Sequence, residues 1–197
     1  MQADVRTALI PIDMQRGFDL PLHRPLSNPS IDANGLRLLA HARRAGWPVL
    51  HVKHDSIHAD SNLRPGHPGN ALREGFEPRG AEPVIAKSVN CAFVGTDLEL
   101  RLRRLKVERV VLFGLYADMC VSTTARIAAN LGFDTVVVGD ACSSIDLPGL
   151  DGAVIPGAQI ARAHLATLHA EFATVVATAD LVVEDAPAGV APSTCVA

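Results

Sequence analysis

The chain has 197 residues, 48% of them hydrophobic and 20% charged, with a formal net charge of −3. That length suits one α/β domain whose core buries roughly 70% of the unfolded surface, and the apolar content excludes intrinsic disorder. Lys and Arg number 18 against 21 Asp and Glu, and aromatic residues make up 4%, so neither a basic surface nor stacking platforms exist to bind nucleic acid.

The first residues, MQADVR, carry an acid and no apolar run, so no secretory signal is expected. The longest apolar stretch, 110–117, is far shorter than the ~20 residues that span a bilayer. A cytoplasmic protein without a membrane partner is the expectation.

Short β-branched runs alternate with segments of helical period. In chain order they predict a strand over 7–13 (TALIPID), then a helix over 30–45 capped by Ser30 and stopped by Gly46. A strand over 48–53 (PVLHVK) leads into a polar loop over 54–80, rich in Pro, Gly and His. A strand over 83–88 (PVIAKS), a helix over 96–105 and a strand over 109–115 (RVVLFGL) come next. A helix over 118–131 stops at Gly132 before a strand over 134–140 (DTVVVGD). A glycine-rich connection over 143–157, a helix over 158–169 and a strand over 173–179 (ATVVATA) complete the series.

Most of these strands are apolar at successive positions, as strands covered on both faces are. Strand and helix in alternation mean parallel pairing through right-handed crossovers. The expected fold is a three-layer α/β/α, Rossmann-like domain with a six-stranded, mostly parallel sheet. Ligands of such sheets bind beyond the carboxyl ends of the strands, where both long loops emerge.

Reading the residues at those ends gives Asp13, His54 with Asp55, Lys87, the turn 116–120, and Asp140. No glycine-rich dinucleotide fingerprint and no P-loop follows any strand, so no cofactor is expected and side chains must do the chemistry. Four cysteines, Cys91, Cys120, Cys142 and Cys195, contain no Cys-x-x-Cys pair. Cys91, Cys142 and Cys195 read as small buried hydrophobes.

Cys120 differs, because it falls in the first turn of the helix that leaves the fourth strand. A helix N-terminus favours a thiolate there, Lys87 one strand away adds a cation, and Asp13 on the neighbouring strand can take the thiol proton. Asp140 reads as a structural cap. Phe18, His54, Phe93 and Tyr116 are candidate pocket walls from their place beside these residues.

At these positions the sequence resembles the isochorismatase-like cysteine hydrolase superfamily, which includes nicotinamidases, N-carbamoylsarcosine amidases, ureidoacrylate amidases and biuret hydrolases. The resemblance lies in ALIPIDMQRGF (8–18), AKSVNCAFVGTDLEL (86–100) and FGLYADMCVSTTARIAANLGFDTVVVGDAC (113–142). It implies an Asp-Lys-Cys triad of Asp13, Lys87 and Cys120, and a cis peptide between Leu115 and Tyr116. The backbone N–H groups of Tyr116 and Cys120 would then form an oxyanion hole. A tyrosine departs from the small residue or threonine usual at position 116. The cysteine argues for the amidase side of the superfamily, with a small amide or ureide as substrate and a thioester intermediate. A homodimer or homotetramer is implied as well.

Nicotinamidases of the superfamily hold a divalent ion through an Asp-x-His pair and further loop histidines. Here the loop region offers His51, His54, Asp55, His58, Asp60 and His67, but Asp55 and His58 stand three apart instead of two, so no metal is expected. Two alternatives stay open: a metal-dependent nicotinamidase, and a catalytically silent homologue with Cys120 as an oxidisable thiol.

Overall fold

The computed structural model describes residues 5–19 and 24–182. Strands β1 (Thr7–Ile12), β2 (His51–His54), β3 (Val84–Lys87), β4 (Arg109–Leu115), β5 (Asp134–Ser143) and β8 (Thr174–Val176) form one sheet in the order β3-β2-β1-β4-β5-β8. Every pairing in it is parallel. A small antiparallel hairpin, β6 (Leu147–Pro148) with β7 (Val154–Ile155), lies inside the connection expected to be irregular. The helices are α1 (Ile31–Ala45), α2 (Leu98–Arg104), α3 (Ser122–Asn130), α4 (Gly157–Glu171) and the single turn α5 (Thr178–Leu181).

The two central strands explain the core. All six residues of β1 are buried, and β4 is buried from Val110 to Leu115. Both faces are therefore apolar and must be covered. Helix α1 packs across β1, β4 and β5 with α5 beside it, while α3 and α4 pack together on the opposite face. The close approach of α1 depends on Gly35, where a Cβ would stand 2.7 Å from Cε2 of Phe113.

Several expected boundaries move, each for a local reason. Ser30 makes no side-chain cap; the side chain of Asn28 accepts from the Ser30 N–H instead. Gly46 does close α1, in the left-handed conformation, and its N–H reaches the carbonyls of Ala42 and Arg43. The helix that carries Cys120 opens with a π-helical turn, Ala117–Val121, before α3. The last strand stops at Val176 because Thr178 turns to Asp140, whose Oδ1 accepts from both its backbone N–H and its hydroxyl at 2.8 Å. Asp140 is thus a structural cap.

One irregularity bears on function. The β4–β5 pairing shifts between Leu112 and Gly114, and Gly114 has φ +130°. A Cβ there would lie 2.0 Å from the carbonyl oxygen of Ile12, so only glycine fits. This bulge redirects the chain just before the turn that carries Cys120.

Candidate active site

Three neighbouring strands and one turn converge at the carboxyl edge of the sheet. Asp13 follows β1 with φ +55°, and its backbone N–H donates to the carbonyl of Val52 at 2.8 Å. That left-handed turn is uncommon for a residue other than glycine, though aspartate tolerates it better than most. His54 and Lys87 end β2 and β3 as register partners. Cys120 sits in the π-helical turn after β4. Ser144 secures this turn from the end of β5, its hydroxyl donating to Asp118 Oδ1 at 2.5 Å.

Lys87 is the hub. Its Nζ donates to Asp13 Oδ2 at 2.7 Å and to Cys120 Sγ at 3.3 Å, and lies 3.3 Å from His54 Nδ1. The sequence places Lys87 one strand from the turn that carries Cys120. In the sheet, β2 and β1 both stand between, so the long lysine stem reaches across them. The Asp13–Lys87 pair is almost wholly excluded from solvent, with side chains 1% and 0% exposed.

Burial sets the titration of this cluster. Loss of solvent raises the Asp13 carboxyl above its ordinary value, although the Lys87 ammonium and the Cys120 thiol act to lower it. Its Oδ1 is buried without a hydrogen-bond partner among the described residues. Burial, then the Asp13 charge, pushes the Cys120 thiol up to about 12, outweighing Lys87. Burial therefore opposes the thiolate that the helix terminus favours. His54 is held below the ordinary imidazole value by burial and by Lys87.

The pocket walls divide. The Phe18 ring meets Tyr116 edge-on at 5.1 Å, both side chains buried beside the turn. Burial pushes the Tyr116 phenol up, so it stays neutral. Phe93 is corrected: its ring stacks on Phe133 at 6.2 Å, just before β5 at the opposite edge of the sheet, where Arg103 also covers Phe133. The Leu115–Tyr116 peptide is cis.

Two further residues were not singled out from the sequence. Gln15 clamps the main chain of His54 at both ends: its Oε1 accepts the His54 N–H at 2.8 Å and its Nε2 donates to the His54 carbonyl at 3.0 Å. Asn70 Nδ2 adds bonds to Asp55 Oδ1 and to the Leu63 carbonyl. Glutamine and asparagine carry donor and acceptor on one group, which such bridging requires. The only sequence signal was a polar residue adjacent to each functional segment.

Loop histidines do not gather. His51 pairs with Glu82 at 3.0 Å, and His67 accepts from the Gly69 N–H. Among the described residues no three His, Cys, Asp or Glu side chains stand where they could hold a metal ion. Cys91 and Cys142 are buried; Cys195 lies outside the described residues. No helix among the described residues is long and apolar enough to cross a membrane.

The isochorismatase domain model matches residues 7–180. This chain belongs to the isochorismatase family of hydrolases. A solved structure of a putative isochorismatase-family hydrolase from Chromobacterium violaceum superposes with a TM-score of 0.86 at 35% identity, covering 92% of this chain and 94% of that one. An uncharacterized isochorismatase family protein of Bacillus subtilis, YrdC, is 36% identical over 90% of this chain and 95% of its own length. The maleamate amidohydrolase of Pseudomonas putida is 31% identical over 68% of this chain and 70% of its own. The family thus includes amide-cleaving hydrolases, and the three-layer fold is shared.

Proposed function

We propose that this isochorismatase-family protein is a cysteine amidohydrolase that cleaves a C–N bond of a small amide or ureide through a thioester, using Asp13, Lys87 and Cys120. The observation that carries this reading is the Lys87 ammonium, 2.7 Å from a buried carboxylate and 3.3 Å from a buried thiol. An acid, a cation and a nucleophile enclosed together match the needs of acyl transfer.

Burial favours the neutral thiol, so in this reading its proton leaves as Sγ attacks the carbonyl carbon, and the Asp13 carboxylate receives it. The C–N bond then breaks and Asp13 returns that proton to the departing nitrogen. Water attacks the thioester and gives its proton to Asp13; the C–S bond breaks and the thiol is restored. Lys87 offsets the Asp13 charge throughout. The Tyr116 and Cys120 N–H groups are the proposed donors to the carbonyl oxygen as it becomes negative. The Phe18–Tyr116 pair favours a compact substrate.

The thiol-sensing alternative draws less support, since sensing needs neither the buried Asp13 carboxyl nor the Lys87 ammonium that lies against the thiol. The test is ammonia release from a panel of small amides, ureides and carbamoyl compounds, with wild type beside Cys120→Ala. The variant should lose at least about 10⁴-fold in kcat, as removal of a nucleophile typically does. Turnover preserved in Cys120→Ala removes the mechanism.

A further inference from the structure

An ammonium has three protons, and a buried one needs three acceptors. Asp13 Oδ2 and Cys120 Sγ supply two for Lys87; among the described residues the third polar atom within reach is His54 Nδ1 at 3.3 Å. Nothing in the reaction described above uses this histidine.

We propose that His54 is a positioning residue: its neutral imidazole accepts the third Lys87 proton at Nδ1 and so aims the other two at Asp13 and Cys120. The inference rests on the cysteine amidohydrolase reading and adds a fourth member to its site.

Three observations support the assignment. First, His54 is a register partner of Lys87 and ends the strand over which the lysine must pass to reach the thiol. Second, its main chain is fixed more firmly than a pocket wall requires, with Gln15 on both its N–H and its carbonyl and Asn70 on the carbonyl as well. The ring is therefore delivered to one place. Third, the groups that bear on the ring are Lys87, Asp13, Asp55 and His58, and burial together with Lys87 keeps it neutral. A neutral ring with Nδ1 accepting carries its own proton on Nε2. Protonation of Nδ1 would face one cation with another and remove the acceptor, so turnover should fall as pH drops through the His54 titration.

His54→Asn and His54→Leu separate this role from that of a wall. The asparagine Oδ1 occupies nearly the place of Nδ1 and accepts a hydrogen bond, but cannot be protonated; leucine fills space and accepts nothing. Three readouts apply: kcat on the best substrate of the panel, the pH profile of kcat/KM, and the rate at which iodoacetamide alkylates Cys120 in the substrate-free protein. His54→Leu should lose about 10- to 100-fold in kcat, the scale of a misplaced catalytic group, and its alkylation should slow. His54→Asn should recover most of both and shift the low-pH limb of wild type downward, leaving the part set by protonation of Asp13.

His54→Leu within two-fold of wild type in kcat and alkylation overturns the proposal. So does a His54→Asn variant no better than leucine, which assigns the loss to ring shape, or one whose low-pH limb is unmoved. If leucine does not fold, judged by urea unfolding, the limb of His54→Asn decides alone. Alkylation needs no substrate, so a Cys120→Ala variant that retained turnover would defeat the amidohydrolase reading while the contact between His54 and Lys87 was still being tested.

Discussion

Two carboxylates in this molecule lie 2.7 Å from a cation and have a histidine close by, yet they titrate in opposite directions. Glu82, just before β3, meets Arg43 of α1 through both its oxygens, takes the Arg79 N–H at 2.8 Å and pairs with His51 at 3.0 Å. Burial acts to raise it, but these donors prevail and bring it down to about 2. Asp13 has one cation, complete burial and an Oδ1 without a partner, and it moves up. Distance to the nearest cation is equal in the two clusters; what differs is the depth of burial, which is the main force raising Asp13, and the number of donors that oppose it. The Glu82 cluster is saturated and ties α1 to the sheet. The Asp13 cluster has fewer donors and no solvent, a setting that suits the proton transfer proposed for it.

The contrast can be broken most forcefully at Asp13. Asp13→Asn keeps the shape but cannot take the thiol proton, and should lower kcat by about 10³-fold or more, near the upper range for general acid–base catalysis; ammonia release measures it. Removing the cation comes next. Lys87→Met leaves the carboxyl buried without compensation and should cost about 3–5 kcal/mol in urea unfolding at pH 7. The sign follows from the raised carboxyl: its stabilising, protonated form exists at low pH and is lost as pH rises through the folded value. The Lys87→Met deficit should therefore shrink at pH 5.

Glu82→Gln is the counterpart and the smallest effect. It should cost about 1.5–3 kcal/mol, the range for hydrogen bonds to a charged group, with kcat unchanged. Because Glu82 is depressed from 4.5 to about 2, it stabilises the folded chain above 4.5 and loses that contribution as pH falls towards 2. Wild type should lose stability across that window in acid titrations of the urea midpoint, and the variant should lose less. Equal acid profiles would remove the distinction between the two clusters.

The sequence made the sheet legible because buried parallel strands write themselves as continuous apolar runs, and 109–115 is predicted to the residue. The meeting of Asp13, Lys87 and Cys120 was legible from their places at the strand ends. Strand order was not, since β2 and β3 are joined by a loop without a helical period to show which way the chain turns. Hence Lys87 was placed too near the thiol, and the significance of His54, in the strand between, could not emerge. The upward push on the thiol was equally hidden, because burial is a property of the assembled core and the local turn pointed the other way. Phe93 misled for a related reason: nearness in sequence to Lys87 says nothing about which end of the sheet an aromatic ring will reach.

The bonds made by Gln15 and Asn70 bear on how such a protein can change over generations. The Gln15 side chain holds its neighbours through their main-chain atoms, and that of Asn70 does so for all but its contacts with Lys53 and Asp55. Phe76, fully buried against Phe113, fastens the far end of the same segment. The excursion from 55 to 80 is consequently held by its path and a few anchors, while Ile57 and its exposed neighbours point outward with little to constrain them. The side chains that face outward along this excursion can therefore be exchanged without disturbing the main-chain bonds that hold His54 beside Lys87.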